Sequence, residues 1–157
     1  MITNIQLTTK EKFLLEDAKS HEEQCIRKYA NYSCLTTDNE LKAVFQSNGS
    51  KEEEHLETIN QLLSGSVPSM GGQSQSSQQR MKTQSNATGN PNLSDKDMCT
   101  DMLNTEKYVS GSYDTAIFEF RDAQVRDVLN HIQKEEQKHG EAIFKYMENK
   151  GMYSANS

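Results

Sequence analysis

The chain has 157 residues, enough for one ordinary domain and too few for two. A net charge of −6 and a pI near 5.2 argue against nucleic acid or an anionic membrane surface as a partner. No run of about 18 apolar residues offers a membrane span, and the start Met1-Ile2-Thr3-Asn4-Ile5-Gln6 lacks the basic and apolar regions of a Sec-type signal.

Hydrophobic content is only 33% and mean hydropathy is −0.87, but the deficit is concentrated in one segment, so the remainder can fill a core. Thr8-Thr9-Lys10-Glu11 has the form of a capping box. The stripe Leu14, Ala18, Cys25, Tyr29, Tyr32 predicts a helix running from there to about Cys34. Thr37-Asp38-Asn39-Glu40 reads as a second capping box, and the stripe behind it runs Leu41, Phe45, Asn48, Glu52, His55, Ile59, Leu62. Gly49 is expected to weaken this helix locally, and Gly65 with Pro68 to end it. From Ser64 to about Leu93 the composition collapses to Ser, Gln, Gly and Asn, with both prolines inside. Residues 64–94 are therefore expected to be a disordered linker, spanning on the order of 30 Å as a flexible coil.

Ser94-Asp95-Lys96-Asp97 caps a third helix with the stripe Met98, Met102, Glu106, Val109, Tyr113, Ala116. A turn around Glu119 to Asp122 leads to a fourth, with Val125, Val128, Ile132, Glu136, His139, Ile143 and Tyr146, closed by Lys150-Gly151. Nothing alternates with period two, so no strand is expected. The prediction is an all-α chain: two helical hairpins, 8–63 and 95–150, forming an antiparallel four-helix bundle across the linker.

The halves repeat. A shift of 84 residues lays Glu22 on Glu106, Tyr29 on Tyr113, Leu41 on Val125, Glu52 on Glu136, His55 on His139 and Ile59 on Ile143. Each half carries a Glu-x-x-His, whose members share one face of a helix a turn apart. With bends near residues 36 and 120, all four repeated carboxylates lie roughly 20–25 Å from their turns at 1.5 Å per residue, so antiparallel pairing brings them to one height. A chain with 25% charged residues produces a lone Glu-x-x-His by chance, on a solvated face. Six such residues that are doubled, in register and within the apolar stripes point instead to a site, whereas Glu23, Glu53, Glu54 and Glu135 fall off the stripes. Buried charge needs a partner. Four carboxylates against two divalent cations sum to zero, and hard oxygen donors with one imidazole per metal suit iron or manganese. The candidate metal ligands are therefore Glu22, Glu52, His55, Glu106, Glu136 and His139, with two Fe or Mn ions as the implied cofactor. Tyr29 and Tyr113 read as core aromatics rather than donors to the carboxylates, and the untwinned His21 and His131 read as surface residues. Of the three cysteines, all are expected to be reduced; Cys99 sits in a first helical turn, where the dipole favours thiolate.

Two resemblances follow. The pattern Glu22-x6-Tyr29, Glu52-x-x-His55, Glu106-x6-Tyr113, Glu136-x-x-His139 resembles the rubrerythrin and ferritin-like di-iron proteins. The stretch from Lys96 to Tyr153 resembles the coat F family of spore coat proteins, in its KDM, DML and EKY opening, in Arg126 before Val128-Leu129, and in the closing Tyr146-Met147 and Lys150-Gly151-x-Tyr153. The second resemblance implies a ferritin-like bundle laid down in the coat of bacterial endospores from the mother-cell cytoplasm, with other coat proteins or further copies of the chain as partners. The first implies a competing activity, a di-iron oxidoreductase or iron binder that uses the same six ligands. A structural or assembly role in the spore coat is the leading expectation, with a di-metal centre compatible with it.

Overall fold

In a computed structural model of the chain, residues 3–69 and 92–156 are described. Four helices form: α1 at Thr9–Leu35, α2 at Asn39–Leu63, α3 at Asp95–Glu119 and α4 at Ala123–Asn149. Each starts where a short polar side chain satisfies backbone N–H groups that have no partner within the helix. Thr8 and Glu11 form the expected capping box on α1, and Ser94 and Asp97 form the one on α3. At α2 the cap is one residue later than the sequence pattern indicates: Asp38, not Thr37, accepts from the backbone N–H of Glu40. Asp122 caps α4.

The two bends fall at residues 36–38 and 120–122, so α2 returns along α1 and α4 along α3. Side-chain contacts record that return, with the ring of Tyr29 in α1 packed at a tilt of 46° on Phe45 of α2, 5.8 Å between centroids. The hairpins join through α1 against α3 and α2 against α4. The result is a helical bundle whose core is filled by the predicted stripes, with Cys25, Phe45, Ile59, Met102, Val125 and Ile143 fully buried. Each large apolar side chain so buried contributes about 1.5–3 kcal/mol.

Polar ties lock the ends. Glu11, itself buried, accepts from the backbone N–H groups of Thr8 and Arg121, linking the start of α1 to the α3–α4 turn. At the other end Tyr146 O–H donates to Asp38 at 2.6 Å, linking α4 to the α1–α2 turn.

Although no strand is expected from the sequence, Thr3–Asn4 (β1) pairs antiparallel with Ser66–Val67 (β2). Two residues are too short to leave an alternating pattern. Gly65 makes the pairing possible, because its φ of +87° disfavours any side chain and a Cβ there would stand 3.2 Å from the Ile5 carbonyl oxygen. The first residues of the expected linker are thus tied down, while its stretch from 70 to 91 lies outside the described residues.

α2 runs through Gly49 without a stop. A Cβ at Gly49 would lie 3.1 Å from Cβ of Tyr29, so the glycine permits a close approach of α2 to α1. Gly49→Leu should therefore cost about 1–3 kcal/mol through overpacking, read as a lower denaturant midpoint, despite the leucine's better helix propensity.

Candidate metal centre

The period of the helix places Glu22, Glu52, Glu106 and Glu136 on the inner faces of α1, α2, α3 and α4, one from each. All four are buried, at 0%, 0%, 2% and 1% exposure, with His55 at 3% and His139 at 5%. Their donor atoms converge in two groups, each with its atoms within 4.8 Å of one another: Glu22, Glu52, His55 and Glu136; and Glu52, Glu106, Glu136 and His139. Glu52 and Glu136 belong to both groups. His55 Nδ1 lies 2.9 Å from Glu136 and 3.5 Å from Glu52, while His139 Nδ1 lies 2.6 Å from Glu52 and 3.6 Å from Glu136. Both imidazoles thus direct the same nitrogen at the two shared carboxylates.

Four carboxylates in one apolar core repel one another and lose their hydration, a cost of several kcal/mol per ion unless it is compensated. The protonation pattern shows how the protein without metal meets that cost. Burial, together with the neighbouring Glu52, raises the Glu22 pKa well above the carboxylate range, and burial raises Glu106 to about 8. Burial also opposes ionisation of Glu52 and Glu136, but the neighbouring Glu22 and Glu106 and the two imidazoles outweigh it and lower both. Burial alone would lower the imidazole pKa values; the carboxylates outweigh it and raise His55 to about 11 and His139 to about 12. At neutral pH the cluster holds two carboxylates, two carboxylic acids and two imidazolium ions, and sums to zero.

Even so, both oxygens of Glu52 and Glu136, Oε2 of Glu22 and Glu106, both ring nitrogens of His55 and Nδ1 of His139 are buried without a hydrogen bond of acceptable geometry. So many orphaned donor atoms aimed at one small volume, in an O/N set suited to iron or manganese, fit a pair of divalent ions.

The two tyrosines are not simply core aromatics. Tyr29 O–H donates to Glu106 Oε1 at 2.5 Å, and Tyr113 O–H donates to Glu22 Oε1 at 2.6 Å. Each half's phenol thus orients the other half's carboxylate, as groups hydrogen-bonded to ligands do around metals. Two further residues carry no twin signal. Asn48, whose counterpart is Ile132, donates to the Tyr29 hydroxyl at 3.3 Å. Glu135, whose counterpart is Lys51, places an oxygen 3.8 Å from His55 Nε2 although it falls off the stripe. His131 is exposed and pairs with Glu135, while His21 is half-buried against Tyr108 rather than on the surface. Cys99 is buried, and burial with the nearby Asp95 raises its thiol pKa to about 12, overriding the helix dipole.

Among the described residues no helix is long and apolar enough to cross a membrane. No curated protein matches the chain. Residues 94–156, which carry α3, α4 and the clustered Glu106, Glu136 and His139, match the family model of the Coat F domain.

Proposed function

We propose that this chain is a structural component of the bacterial endospore coat, built as a ferritin-like antiparallel bundle that holds two divalent metal ions. The hairpins 8–63 and 95–150 supply one half-site each, and 64–94 is the crossover between them. The coat role is supported by the Coat F match over the second hairpin. The metal centre rests on one observation above all: four carboxylates and two imidazoles, all buried, whose donor atoms converge without hydrogen-bond partners. Glu22 and His55 would be terminal ligands of one ion and Glu106 and His139 of the other, with Glu52 and Glu136 shared. Bound ions would tie all four helices together at mid-height and stabilise the folded coat protein by mass action.

Metal analysis after loading with Fe(II) or Mn(II) tests the centre. The expected result is two ions per chain, and none in Glu52→Ala/Glu136→Ala. A loaded wild-type protein that retains no metal on desalting removes the centre and leaves the coat role standing. The coat role is tested separately: the protein should be extractable from mature spores and absent from vegetative cells, and abundance during vegetative growth would overturn it.

A further inference from the structure

The internal repeat gives the bundle two equivalent α1–α3 faces, and they are filled differently. On one face Asp101 of α3 accepts from Lys28 Nζ at 3.0 Å and from the Tyr32 hydroxyl at 2.6 Å, both from α1. The 84-residue shift puts Asp17 of α1 at the place of Asp101, and Ser112 and Ala116 of α3 at the places of Lys28 and Tyr32. The acid is kept and both of its partners are truncated. Behind them, Leu129 stands where the first half has the larger Phe45, and Ala18 where the second half has Met102. In place of the filled face there is a cavity of about 300 Å³, walled by Leu15, Ala18, Ala116 and Leu129 and reaching the ring of Tyr113.

Of the polar side chains at this cavity, Ser112 and Thr115 donate to the backbone carbonyls of Tyr108 and Gly111, whereas Asp17 and His21 have no such tie. Asp17 lines its mouth, exposed to solvent, and makes no ion pair or hydrogen bond among the described residues. His21 also lines it, with a buried Nδ1 that has no partner. An apolar chamber at the small end of the ligand-site range, with a few convergent polar groups, is the form of a small-molecule site. The filled twin shows what chemistry suits it: an aromatic ring inserted between the helices, with its hydroxyl on the aspartate.

We propose that the α1–α3 cavity binds a small single-ring phenol, its ring against Ala18, Ala116 and Leu129 and its hydroxyl donating to Asp17. The site requires no metal, so it stands or falls apart from the di-metal reading. Polar contact at the mouth and apolar contact within resemble the way Tyr32 already sits on the opposite face.

The probe is p-cresol, the side chain of tyrosine as a free molecule, titrated into the full-length protein and followed by amide NMR shifts. Saturable binding is expected, with a Kd on the order of 1 mM and with shifts confined to residues around Leu15 of α1, Tyr113 and Ala116 of α3 and Leu129 of α4. Ala116→Tyr restores the twin's plug and should abolish binding. Asp17→Ala changes an exposed residue and leaves the core intact; it should weaken p-cresol about tenfold while leaving toluene unchanged. Binding that survives Ala116→Tyr in a folded protein, equal loss of toluene and p-cresol affinity in Asp17→Ala, or tighter binding of benzylamine than of p-cresol would each overturn the assignment. So would the absence of saturation by wild-type protein at tens of millimolar, roughly ten times the expected Kd.

Discussion

Binding of two manganese ions at neutral pH should release about four protons per chain, and the apparent affinity for each ion should change about a hundredfold per pH unit. Without metal, Glu22 and Glu106 hold protons because burial raises their pKa values, and His55 and His139 are charged because the neighbouring carboxylates raise theirs to about 11 and about 12. Two dications can occupy the cluster only when both acids and both imidazolium ions each give up one proton. The sum of charges is zero before and after, so the exchange of protons for metal carries no net burial of charge.

The sign of the pH effect on the metal-free protein follows from the same groups. Glu106 keeps its proton in the folded state from the ordinary 4.5 up to about 8, and the imidazoles keep theirs from 6.5 up to about 11 and about 12. Throughout that span the folded chain binds more protons than the unfolded one, so stability falls as pH rises. Glu52, Glu136 and Glu135 act on the other side, with pKa values lowered below 4.5, so their contribution is lost on acidification. Metal-free protein should melt highest near pH 5 and lose stability toward pH 9, whereas manganese-loaded protein should gain stability over the same range. Calorimetric titration in buffers of differing ionisation enthalpy counts the protons, and scanning calorimetry gives the pH profile. Near-zero proton release, or a metal-free Tm that climbs between pH 6 and 9, would show that the cluster is not protonated in this way.

Sequence alone discloses the six clustered side chains because three regularities coincide in them. The helical period decides which side chains face inward, the bends at 36–38 and 120–122 set their height, and the 84-residue repeat distinguishes Glu52 and Glu136 from the many exposed acids. What stays hidden depends on the facing helix. Tyr29 and Tyr113 show as a repeated pair, but each one's partner belongs to the other half, which no spacing within a hairpin reveals. Asn48 and Glu135 break the repeat, so the signal that finds the six clustered side chains passes over them. Gly49 carries a helix-propensity cost in isolation, yet opposite Tyr29 it is what allows α2 to approach. Cys99 shows the same limit in chemistry: its position in a helical first turn is visible, and the burial that outweighs the dipole is not.

The four carboxylates should divide into two classes when each is changed to glutamine in metal-free protein at pH 7. Glu22 and Glu106 already behave as neutral acids there, accepting from Tyr113 and Tyr29 through one oxygen. A glutamine keeps that acceptor and offers an N–H where the acid offered an O–H, so Glu22→Gln and Glu106→Gln should alter stability by no more than about 1 kcal/mol. Glu52 and Glu136 are the anions between the two imidazolium ions, at 2.6 Å from His139 and 2.9 Å from His55. Neutralising either one leaves a buried cation short of its counter-charge, a loss of about 3–5 kcal/mol and roughly 10 °C in Tm for a chain of this size. Metal loading should sort the variants along a different line. Glu22 belongs only to the His55 group and Glu106 only to the His139 group, so each of their glutamine variants should retain a single ion. Loss of a shared carboxylate should weaken both positions. If Glu22→Gln lowers the metal-free Tm as far as Glu52→Gln does, then Glu22 is ionised in the folded protein, and the charge balance argued for this cluster is wrong.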